Sequence, residues 1–147
     1  MKKRHRRLGV RRSSLLDAGV ILLLGALVSA TPALWYPIVW PDAPDVDNGF
    51  GSWLFLFAFS LVPFVLAAVL RATRAMGRLT AAVATATAVA LVVFGQYAGL
   101  DPNHPSSTTP IALVIVPFWA AGLVLAVWVV GALARAARDA LRRSARP

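Results

Sequence analysis

Four stretches of the chain contain no Lys, Arg, Asp, Glu or His: Ala18 to Trp40, Trp53 to Leu70, Leu79 to Leu100 and Ile111 to Ala134. A hydrocarbon layer about 30 Å thick is crossed by roughly 20 predominantly apolar residues of helix. Even the shortest stretch, Trp53 to Leu70, would rise about 27 Å as a helix, enough to cross with little tilt. The pattern therefore predicts an all-α integral membrane protein, a four-transmembrane-helix bundle forming one domain over residues 1–147. Residues 1–13 form a basic tail before it and 135–147 a basic extension after it.

Charge supplies the direction. All 15 basic residues lie in three places: seven before Ser13, three at Arg71, Arg74 and Arg78, and five after Ala134. The other two connections hold no cation and carry Asp42, Asp45, Asp47 and Asp101. Short Lys/Arg-rich segments stay on the cytoplasmic side, so both termini are expected to be cytoplasmic. Trp35, Tyr36, Trp40, Trp53 and Tyr97 fall at the opposite interface, where amphipathic rings sit at headgroup level. A basic start, an apolar run and Val28-Ser29-Ala30 also resemble a cleavable signal peptide. Against that, the apolar run continues through Trp35, Ile38 and Val39, long enough to span.

Composition agrees. The chain is 59% hydrophobic and 14% charged, where a soluble domain has about 45 to 50% and about 25%. Disordered chains need the reverse balance. There is no cysteine, which removes disulfides, thiolate metal sites and cysteine nucleophiles. A net charge of +9 reads as threading and lipid attraction, and no nucleic-acid partner is expected without a soluble basic fold. Thirteen of the 15 cations are Arg, a bias that fits a GC-rich bacterial genome and a bacterial cytoplasmic membrane.

Helix ends and interiors give the candidate packing sites. Ser14-Leu15-Leu16-Asp17 has capping-box spacing, so Asp17 is expected to cap the first helix, with an interfacial ion or proton site as the alternative. Ser52 and Thr109-Pro110 resemble helix starts, Gly77 and Gly99 helix stops. Pro63 and Pro117 remove backbone hydrogen bonds and predict kinks. Small residues let membrane helices approach closely. The run Thr80 to Ala90 makes the third helix the expected packing centre, with Ala81, Thr85 and Ala88 in contact. Gly25 with Ser29, and Gly122 with Ala126, offer further patches. The rings of Phe55, Phe57, Phe59 and Phe64 read mainly as lipid-facing bulk and filler. Trp119 and Trp128 are nine residues apart, about 900° of rotation, and so lie on opposite faces.

Beyond Gly131 the fourth helix is expected to continue, with Leu133, Ala137, Ala140 and Leu141 on one side and arginines on the other. Asp139 is four residues from Arg135 and from Arg143, close enough to pair. Such a basic amphipathic extension suits anionic headgroups. Lys2, Lys3, Arg4, Arg6, Arg7, Arg71, Arg74, Arg78, Arg142 and Arg143 are the candidate anionic-lipid ligands.

Chemistry is thin. Asp45-Val46-Asp47-Asn48-Gly49 has its glycine one residue early for a calcium loop and no glutamate at the twelfth position. Asp42, Asp45, Asp47, Asp101, Asn103 and His104 read as turn residues, with an outward-facing lipid or metal-dependent enzyme as the least favoured alternative. Neither a nucleotide-binding fingerprint nor a P-loop occurs, and no nucleophile, base and orienting group can be assembled from spacing. No catalytic residue, metal or cofactor is implied. The expected role is a non-enzymatic accessory, scaffolding or regulatory subunit that packs against another membrane protein or itself. The alternative is a small homo-oligomeric transporter or channel using Thr85, Thr87 and Gln96.

Overall fold

The computed structural model describes residues 2–39, 50–99 and 109–144. They form four helices: α1 (Lys2–Val39), α2 (Phe50–Ala72), α3 (Arg78–Gly99) and α4 (Thr109–Ser144). Each holds a segment long and apolar enough to cross a membrane. The chain is thus all-helical and of multi-pass composition. Much of its apolar surface faces outward, as expected where the solvent is lipid.

The helices run up and down. α2 and α3 form the central pair, each touching the other three helices, whereas α1 and α4 do not meet among the described residues. The third helix therefore shares the centre with the second. Ala81, Ala84, Thr85, Ala88, Val92 and Gln96 form its buried stripe, recurring at three or four residues. The buried residues of α2 are Ser60, Pro63, Phe64, Ala67, Ala68 and Arg71. Phe64 is completely buried, unlike Phe55, which is half exposed. The reason lies on α1: Gly25 has no side chain, and the Phe64 ring occupies the space that one would fill.

Several helix boundaries differ from the sequence reading. α1 passes through Ser14 and Asp17 without interruption, so these residues cap no helix end. Pro63 and Pro117, where kinks are expected, lie inside α2 and α4 and end neither helix. Ser52 lies inside α2 rather than before it, while Thr109 does open α4 and Gly99 closes α3. Gly77 is not the residue that reverses the chain after α2; Arg74 is, with φ of 63°. This left-handed conformation usually goes to glycine because a β-carbon is crowded there.

Candidate functional site

The densest polar structure lies where α2 turns into α3, and all four helices contribute to it. Arg71, on the last turn of α2 and only 8% exposed, donates from Nε at 3.0 Å and Nη2 at 2.5 Å to Asp17 Oδ2 of α1. Its Nη1 donates at 3.2 Å to the Met76 carbonyl. Arg78, opening α3, donates from Nε to the same Asp17 oxygen at 3.0 Å. From α4, Trp128 Nε1 and Arg135 Nη2 both donate to the Ala75 carbonyl, at 3.0 and 2.7 Å.

Each contact answers a local need. The reversal at residues 73–77 exposes carbonyls that no helix satisfies, and in an apolar surround an unpaired carbonyl is costly. Ala75 and Met76 receive their donors from Trp128, Arg135 and Arg71. The buried guanidinium of Arg71 needs a counter-charge, and Asp17 supplies it. One carboxylate between two guanidinium groups leaves the cluster net positive. Of Arg78, only Nε is engaged among the described residues, and its side chain is 69% exposed.

A second polar group lies toward the other end. Pro32 has no amide hydrogen for the Val28 carbonyl, and Thr31 Oγ1 donates to that carbonyl instead at 2.6 Å. The same hydroxyl lies 3.5 Å from Gln96 Oε1, and Gln96 Nε2 lies 3.4 Å from Ser60 Oγ, joining α1, α2 and α3. Thr85 donates back along its own helix to the Ala81 carbonyl at 2.8 Å. Ser29 is buried with its hydroxyl unpartnered among the described residues.

The candidate residues fall into separate groups. Gly25, Ser29, Ala81, Thr85 and Ala88 are buried between helices, while Gly122 and Ala126 face outward on α4. Thr85 and Gln96 are buried in different contacts, and Thr87 is half-buried. Arg71 is turned inward, away from the headgroup role expected of it, because its donors serve Asp17 and Met76. Arg74, Arg78, Arg142 and Arg143 are exposed. Arg135 reaches Ala75 rather than Asp139, and Asp139 pairs with neither arginine neighbour among the described residues. The side chains of Lys2, Lys3, Arg4, Arg6 and Arg7 lie outside the described residues, as do Asp42, Asp45, Asp47, Asp101, Asn103 and His104.

Sequence reasoning missed two close approaches: a β-carbon at Gly95 would stand 2.5 Å from Val116, and one at Gly131 2.8 Å from Thr80. Isolated glycines inside otherwise bulky helical runs were the available signal. No protein family, curated protein or solved structure matches this chain.

Proposed function

We propose that the chain is a non-enzymatic accessory or scaffolding subunit of a bacterial cytoplasmic membrane, packing laterally against another membrane protein or a second copy of itself. Both termini and the α2–α3 turn are cytoplasmic in this reading, by the placement of every cation, and exposed Arg74 and Arg78 meet anionic headgroups. The observation that carries the reading is on α4. Gly122 and Ala126 form an outward notch, with nothing within 4 Å of where a Gly122 β-carbon would be. Ile115, Trp119, Val129 and Leu133 share that side by helical register, and Trp119 is 70% exposed. Gly19 on α1 is equally open but has no small residue four positions on, whereas Gly25, Gly95 and Gly131 are filled by neighbouring side chains.

Small residues at i and i+4 permit close helix approach in lipid, where packing rather than the hydrophobic effect drives association. The buried polar groups support a packing role over a conducting one. Thr85 bonds its own helix and Gln96 bridges helices, so the described residues supply no continuous polar file. Gentle extraction should recover a larger complex, and Gly122→Leu should reduce it to the single chain. A monomeric native particle, or a complex indifferent to Gly122→Leu, would contradict the proposal.

A further inference from the structure

The charges at the α2–α3 turn do not balance. Arg71, Arg74, Arg78 and Arg135 stand in or against the turn, and Asp17 is the one carboxylate among them. Asp139 is the only other acid among the described residues, and it forms no ion pair there. Four positive charges against one negative leave a local excess of three.

Arg71 already neutralises Asp17. It is buried, gives Asp17 Oδ2 two N–H groups and directs its Nη1 to the Met76 carbonyl. Yet Arg78 is held on the same oxygen through Nε at 3.0 Å, beside a guanidinium of like charge. For an exposed side chain, water offers a place without that repulsion. What the contact achieves is orientation. A guanidinium is planar and presents five N–H groups in a fixed fork. Anchoring Arg78 through Nε leaves its far edge, Nη1 with Nη2, turned away from Asp17 and unpartnered among the described residues. That edge matches two oxygens of an anion at once.

Arg74, at the reversal itself, is exposed and forms no ion pair among the described residues. A carboxylate uses both of its oxygens on one fork. A phosphate keeps further oxygens at the other corners of its tetrahedron, so a second arginine can reach it from another side.

We infer that Arg78, oriented by Asp17, and Arg74 form a binding site for one phosphate group, either the headgroup phosphate of an anionic lipid or free phosphate. Asp17 is a positioning residue, and Arg71 holds it in place. The inference rests on the reading of Arg74 and Arg78 as headgroup ligands and replaces a diffuse attraction with a defined contact.

The test titrates full-length protein in neutral detergent, at about 0.15 M salt, with inorganic phosphate, dihexanoyl phosphatidylglycerol or dihexanoyl phosphatidylcholine, followed by calorimetry. Tighter binding of phosphatidylglycerol assigns the site to a lipid, and tighter binding of inorganic phosphate assigns it to the free anion. Phosphatidylcholine, whose choline opposes the local charge, should bind several-fold more weakly than the preferred ligand. Arg78→Lys keeps the charge and loses the fork, so it should weaken binding at least about tenfold. Asp17→Asn makes the turn more positive, so a diffuse patch would bind an anion more tightly. Loss of the anchor should instead weaken binding several-fold, with helicity unchanged. If that variant unfolds for want of a counter-charge at Arg71, Arg78→Lys decides alone. Binding that Arg78→Lys leaves unchanged, or that Asp17→Asn strengthens, would overturn the inference. So would failure of both phosphate and phosphatidylglycerol to bind, equal binding of phosphatidylcholine, or tighter binding of a Glu-rich peptide. The R74A/R78A variant then separates the two readings. Loss of lipid binding there would leave the headgroup reading standing without a defined site, and indifference would remove both. Arg78→Lys should leave the size of the extracted complex unchanged, which separates this site from the lateral notch.

Discussion

Gly25 of α1 and Phe64 of α2 share one volume: a β-carbon on Gly25 would stand 2.5 Å from both Cβ and Cγ of Phe64. Those are the near, stiff atoms of the side chain, so rotation of the ring does not relieve the overlap. Gly25→Ala should destabilise the bundle by about 1 to 3 kcal/mol, the usual range for overpacking. Gly19 is the matched control, with nothing within 4 Å. Gly19→Ala should be neutral or up to about 1 kcal/mol stabilising through helix propensity. Unfolding in mixed detergent micelles measures both.

Ala75 receives two donors on one carbonyl, from Trp128 and Arg135. Trp128→Phe keeps most of the ring and loses one bond, so it should lower stability by about 0.5 to 1.5 kcal/mol. Arg135→Ala should do much the same. Together they leave the carbonyl without a side-chain donor, and the double variant should lose more than the sum of the singles. Additivity in the same unfolding assay would show that the two donors act independently.

The four long apolar helices were legible in the sequence because they depend only on composition along the chain. Burial of Gly25, Ala81 and Ala88 followed from the close approach that small residues allow. What could not be read was pairing across the bundle. Ser14-x-x-Asp17 looks like a cap only if the helix starts there, and α1 starts earlier, freeing Asp17 for Arg71 and Arg78. Arg71 looked like a headgroup ligand because sequence position does not reveal a bond to a residue 54 positions away. Phe64 looked like filler until the notch at Gly25 gave it a place. Arg74 holds the left-handed turn although Gly77 is three residues on, and nothing in the local pattern marks that choice.

Ser29 presents the opposite case to Ala75, a buried hydroxyl with no partner among the described residues. Removing an unsatisfied polar atom without removing much volume relieves its desolvation penalty. Ser29→Ala should therefore raise stability, by about 1 kcal/mol. A loss of similar size in the unfolding assay would show that the hydroxyl has a bonded partner.

Gln96 separates packing from transport. Its contacts to Thr31 and Ser60 are long, 3.5 and 3.4 Å, and side-chain hydrogen bonds inside membranes average about 0.6 kcal/mol. Gln96→Leu should weaken the bundle by about that amount and leave ion or solute leakage from reconstituted vesicles at the level of the unmodified chain. A flux above that of empty vesicles that disappears in Gln96→Leu would favour the conducting alternative.

Sidedness is the most direct test of the whole reading, and a chain without cysteine allows it cleanly. Single cysteines at Lys2, Asn103 and Ser144 are exposed in turn to a membrane-impermeant maleimide on intact cells. Lys2→Cys and Ser144→Cys should label only after the membrane is opened, and Asn103→Cys should label at once. Labelling of one chain end but not the other on intact cells, or release of the protein from membranes by alkaline washing, would contradict four crossings with the arginines inside.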